Sequence, residues 1–189
     1  MKIVETYSHM NGGEYLSLRK PEIYAEIRKT IADVDTRPNA FSETFHKSFD
    51  KKGWKASRCF CYGCKDNLQD VAGLSLSEQR RYLERTGTRN PVKSFMRMGL
   101  IKSRVAIETP LQKSFSTRPD ALLKQLLFYS GDMIDVGVEI LPMKAMAEDP
   151  NGGRLMSTGI AYYEGEVYNI LRHGRNSPPV PLLVIGIGP

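Results

Sequence analysis

The sequence predicts a mixed α/β domain, a central sheet flanked by helices. Segments of helical periodicity alternate along the chain with short apolar runs rich in β-branched residues. Two of those runs, Ile134 to Leu141 and Val180 to Ile187, are apolar enough to be buried strands. The chain has 189 residues, 41% of them hydrophobic. That suits one domain, read here as residues 1–189.

Met1 to Tyr7 reads as a short first strand. Pro21 to Asp35 reads as an amphipathic helix: Pro21 suits the first turn, and Ile23, Ile27 and Ile31 form one stripe. Phe41, Phe45 and Phe49 repeat that spacing and place a second helix before Gly53. Trp54 to Tyr62 reads as a strand that turns at Gly63. Ser75 and Glu78 match a capping box, which starts a helix that Gly87 ends. Arg104 to Thr109 is a short strand bounded by Pro110, and Asp120 to Tyr129 a leucine-rich helix. Ala145 to Gly159 is loop-like, and Tyr162 to Arg172 is mixed in pattern and reads as helical.

The net charge of +6 is unevenly placed. From Arg85 to Arg118 eight basic residues face one acid, Glu108, so that segment is net +7 and the remainder sums to −1. Such a block suits a polyanion, since each neutralised phosphate releases counterions; a solvated basic surface is the plainer alternative. No apolar run reaches the roughly 18 residues of a membrane span, and the N-terminus has no signal-peptide core. The expectation is a cytoplasmic protein with no membrane partner.

Several blocks resemble the BglII/BstYI group of type II restriction endonucleases. They include Lys2-Ile3-Val4-Glu5, Lys52-Gly53-Trp54-Lys55, Arg104-Val105-Ala106-Ile107-Glu108, the run Ile134 to Lys144, Tyr162-Tyr163-Glu164-Gly165-Glu166, and Pro181 to Ile187. They keep the family order over nearly the whole chain. The resemblance implies a PD-(D/E)xK core, a homodimer, and Mg²⁺-dependent cleavage of double-stranded DNA at a short palindrome.

The resemblance also locates a defect. Glu108 matches the strand glutamate that holds the metal. The acid expected nine residues earlier is Gly99, and the Gln expected two residues later is Pro110. Neither replacement can hold a metal. Glu108 then reads as a catalytic remnant, paired with Lys102 or Arg104, and the protein as a pseudoenzyme that keeps DNA binding. An active endonuclease with a rearranged site is a second reading; it needs a migrated carboxylate, such as Glu14 or Glu22. The resemblance marks Lys113 and Thr158 as base-facing and Arg172 and Arg175 as contacts to phosphate or within the fold. Lys113 and Thr158 could equally be surface residues.

Cys59, Cys61 and Cys64 have no counterpart in the resemblance. Cys-x-Cys-x₂-Cys could offer three thiolates to Zn²⁺, with His46 or His9 as a fourth ligand, or hold an iron–sulfur cluster. Structural thiols are the simpler reading. A metalloprotein built on this cluster is a third functional class.

Overall fold

The computed structural model describes residues 1–34, 41–63, 68–71, 74–88, 91–109, 117–147, 162–174 and 178–188. Six strands form one mixed sheet: β1 (Lys2–His9), β2 (Lys55–Gly63), β3 (Val92–Lys102), β4 (Val105–Glu108), β5 (Val136–Pro142) and β6 (Leu182–Gly188). The order is β1-β6-β5-β4-β3-β2. The centre, β4, β5 and β6, is parallel. The flanks are antiparallel. The helices are α1 (Gly12–Arg19), α2 (Pro21–Asp33), α3 (Phe41–Asp50), α4 (Leu68–Val71), α5 (Leu76–Arg85), α6 (Thr117–Ser130), α7 (Lys144–Ala147) and α8 (Tyr163–Glu166). A π-helical turn, Val167–Leu171, follows the last.

Side chains alternate across a strand, so the sheet has two faces with different partners. Val136, Val138 and Ile140 of β5 and Leu183, Ile185 and Ile187 of β6 pack with Leu16, Ile27, Ile31, Phe45, Phe49 and Trp54. This first face is covered by α1, α2 and α3. On the second face, Leu141 and Val184 pack with Tyr163, Val167 and Leu171. Ala106 packs there with Cys59, Met98 and Phe128 of α6.

Local signals explain most elements. The Ile23/Ile27/Ile31 stripe buries Ile27 and Ile31 fully. Ser75 and Glu78 close a reciprocal capping box at the start of α5. Gly12 is required by close approach: a Cβ there would lie 2.4 Å from the Leu182 backbone.

Three elements lie outside the sequence reading: α1, the short α4 and the eleven-residue β3; α7 occupies the start of the Ala145–Gly159 segment read as loop-like, the rest of which from residue 148 lies outside the described residues. β3 lacks strand alternation because much of it is exposed, and its register against β2 shifts between Lys55 and Ser57. The Tyr162–Arg172 segment is one α-turn followed by a π-helical turn.

Candidate active site

The hairpin joining β3 to β4 builds the site around Glu108. Ser103 and Arg104 both adopt left-handed φ, 49° and 61°, the conformation a tight two-residue hairpin turn demands. Neither is glycine, so the turn needs outside support. Arg104 supplies it: its guanidinium bonds Asp135 at 2.8 Å and the Asp132 carbonyl at 2.6 Å. The turn pairs Leu100 with Ile107 and Ile101 with Ala106. Just beyond this ladder, the Gly99 backbone N–H donates to the Glu108 carboxylate. Two positions nine residues apart are thus brought together.

What stands at Gly99 is a different matter. A Cβ on Gly99 would lie 3.2 Å from Cε1 of His46 on α3. The imidazole therefore fills the direction in which an acidic side chain would project. His46 Nε2 lies 3.3 Å from Thr109 Oγ1. Burial pushes the His46 pKa down, which keeps the ring neutral at pH 7.

Glu108 itself is turned toward the second face, with 15% of its side chain exposed. Its ion-pair partner is Lys124 of α6, at 3.7 Å. The expected pairing with Lys102 or Arg104 is not formed. Lys102 is held by Glu26 at 2.8 Å, and Arg104 by Asp132 and Asp135. The reason is geometric: both cations lie at or beside the turn, at the opposite end of β4 from Glu108. Burial pushes the Glu108 carboxyl up, and Lys124 partly opposes this.

Two more glutamates, which the sequence reading did not single out as site residues, lie on this side: Glu139 beside Glu108, and Glu166 beside Glu139. Glu139 on β5 is in register with Glu108 on β4 and 1% exposed. Glu166, the last residue of α8, is also buried. Burial pushes Glu139 up to about 8, and the Glu166 and Glu108 carboxylates add to the shift. Glu108 Oε1, Glu139 Oε1 and Gln125 Oε1 are buried without a hydrogen-bond partner among the described residues. Glu139 follows an apolar run and precedes another, so local pattern gave no reason to single it out; only pairing of β4 with β5 sets it beside Glu108.

A Mg²⁺ ion of the family kind fits this site poorly. Its hard-oxygen shell requires carboxylates beside the scissile phosphate. Gly99 supplies none, and burial beside the Glu166 and Glu108 carboxylates favours the protonated form of Glu139. No group of three metal-ligating side chains occurs among the described residues. The proposed migrants do not supply the missing acid: Glu14 accepts a hydrogen bond from Ser8 and is exposed, and Glu22 is exposed.

Of the DNA-facing candidates, Arg172 stacks over the rings of Tyr168 and Tyr7, at 4.6 and 5.8 Å from their centroids. That is a contact within the fold. Pro110, Lys113, Thr158 and Arg175 lie outside the described residues. So do Cys64 and the side chain of Cys61. Cys59 is buried in the apolar cluster of Met98, Ala106, Phe128 and Ile134, whereas His46 sits at Gly99 and Thr109. These two are in separate surroundings. His9 Nε2 lies 2.8 Å from the Pro178 carbonyl.

Comparison with known proteins agrees with this architecture. A crystal structure of free BglII superposes with a TM-score of 0.59 at 15% identity, covering 100% of this chain and 80% of that one. At that identity the likeness shows the fold alone. No curated protein matches the sequence. The family described as restriction endonuclease BglII/BglIII matches residues 4–187, nearly the whole chain, and the protein belongs to that family.

Proposed function

We propose that this protein binds duplex DNA through its restriction-endonuclease core and cleaves it weakly or not at all. The observation that carries the reading is that Glu108 meets the backbone amide of Gly99 and no carboxylate at that position. Glu108 is kept, but position 99 carries no carboxylate: its backbone amide meets Glu108, and a side chain there would run into the His46 ring. An active-site group of this kind contributes about 3 kcal/mol or more to transition-state stabilisation, and here the Gln position is lost as well, to Pro110. A homodimer on a two-fold symmetric site accompanies this reading.

A second reading is favoured by one observation. Glu139 places a carboxyl alongside Glu108, so a rearranged site could use this pair once Glu139 loses its proton. One experiment separates the two. Duplex binding is measured by gel shift at low salt, and supercoiled plasmid is incubated with Mg²⁺ or Mn²⁺ at pH 7 and pH 9. Binding with intact plasmid at both pH values is the expected result. Nicking that rises with pH and disappears in Glu108→Ala and Glu139→Gln would establish the rearranged site. Absence of duplex binding would overturn the proposal.

A further inference from the structure

The β2–β3 pair runs well past the short β4. β4 pairs only with Leu100, Ile101 and Lys102 of β3, whereas β2 pairs with β3 as far as Val92. Residues 57–63 and 92–98 therefore form a two-stranded ribbon that projects beyond the Glu108 end of β4. Its two faces differ. Cys59, Met96 and Met98 point into the second-face core. The opposite face carries Arg58, Tyr62, Lys93, Phe95 and Arg97, which share a side by strand alternation and register.

That face has an arrangement that folding alone does not favour. Arg58 and Arg97 are directly opposite each other, and like charges so placed destabilise a sheet. Phe95 is 55% exposed, and the Arg58 guanidinium lies 5.0 Å from its ring centroid. Lys93 lies 5.9 Å from the Tyr62 ring. Arg58 and Arg97 are exposed, and neither forms an ion pair among the described residues. Three cations interleaved with two aromatic rings, on a ribbon narrow enough for a groove, match a nucleic-acid backbone with its base edges. A polyanion also supplies the countercharge that relieves the arginine pair.

We propose that this ribbon face is a duplex-DNA-binding surface, in which Arg58, Lys93 and Arg97 take phosphates and Phe95 makes an apolar contact in the groove. The inference rests on the duplex-binding reading above and adds where the duplex lies: against the ribbon, beside the Glu108 end of β4. Neutralising two phosphate contacts lowers the salt slope by about 2.

The test uses the full chain and a mixed-sequence duplex of about 30 base pairs, a length that exceeds a typical binding site. Anisotropy is followed against salt for wild type, Arg58→Ala/Arg97→Ala, Phe95→Ala and Arg97→Glu. A control, Lys29→Ala, removes a cation from α2. The double variant is expected to lose tenfold or more in affinity and about 2 in salt slope. Phe95→Ala is expected to weaken binding several-fold with the slope unchanged, and Lys29→Ala to leave both unchanged. Arg97→Glu supplies an opposite charge to Arg58, so it should hold or raise the melting temperature while abolishing binding. That outcome separates lost contact from lost folding. Wild-type binding that persists undiminished in the double variant and in Arg97→Glu overturns the ribbon and leaves the duplex-binding reading standing. No binding by wild type overturns both.

Discussion

The two faces of the sheet are built to different rules. On the first, Trp54, Phe45 and Phe49 interlock, with ring centroids 5.4 and 5.5 Å apart. The polar atom that enters there is paired: Trp54 Nε1 donates to Glu26 at 2.6 Å, and Lys102 closes the network at 2.8 Å. On the second, Glu108, Gln125, Glu139 and the Tyr163 hydroxyl leave buried oxygens without partners among the described residues. A buried unpaired polar group costs about 1–3 kcal/mol, so the second face gives up stability that the first supplies. Such concentrations of unsatisfied and proton-retaining groups mark functional sites more often than cores. Glu108 lies among these buried acidic and unpaired groups.

That contrast can be broken or sharpened by measurement. The largest effect is expected on the first face: Trp54→Ala should cost about 3–5 kcal/mol in urea denaturation and leave Glu26 short of a donor. A smaller loss would mean the first face is not the main source of stability. Next comes the pH response of the second. Glu139 titrates at about 8 in the fold against an ordinary 4.5. The folded state therefore holds the extra proton between those values, and stability falls as pH rises through them. With chelator present, wild type should lose on the order of 2–4 kcal/mol between pH 5 and pH 9, and Glu139→Gln should flatten the curve. Equal slopes in the two proteins would remove Glu139 from the account.

Gly137 offers a finer probe of the same seam. A Cβ there would lie 2.4 Å from Gln125 Oε1 and 2.6 Å from Leu182 Cδ2. Gly137→Ala should cost about 1–3 kcal/mol by overpacking. Adding Gln125→Ala should recover part of that loss, since the nearest clash is with a side chain. Additive losses would place the strain elsewhere. The smallest effect lies away from both faces: Ser75→Ala removes the α5 cap and should cost about 1 kcal/mol.

The residues differ in how openly they declare their roles. The α2 stripe, the Ser75 cap, and the apolar runs of β5 and β6 are local patterns, readable because periodicity and capping depend on near neighbours in the chain. The reading of Gly99 as the position of a lost acid needed only a count from Glu108 along a resemblance. β3 was not readable, because its exposed half mixes cations and apolar residues without strict alternation. The arginine opposition on the ribbon is a matter of register between two strands more than thirty residues apart.

By itself, the sequence determined an α/β restriction-endonuclease core, a basic segment, and the short strand that ends in Glu108. Tertiary structure decided what surrounds that strand. Lys124 rather than Lys102 pairs Glu108, because β4 is short and its two ends face different neighbours. Glu139 joins Glu108, because parallel pairing of β4 with β5 sets them in register. His46 takes the space beside Gly99, because α3 packs across the first face there. Each is a contact between segments distant in sequence, fixed only when the sheet closes.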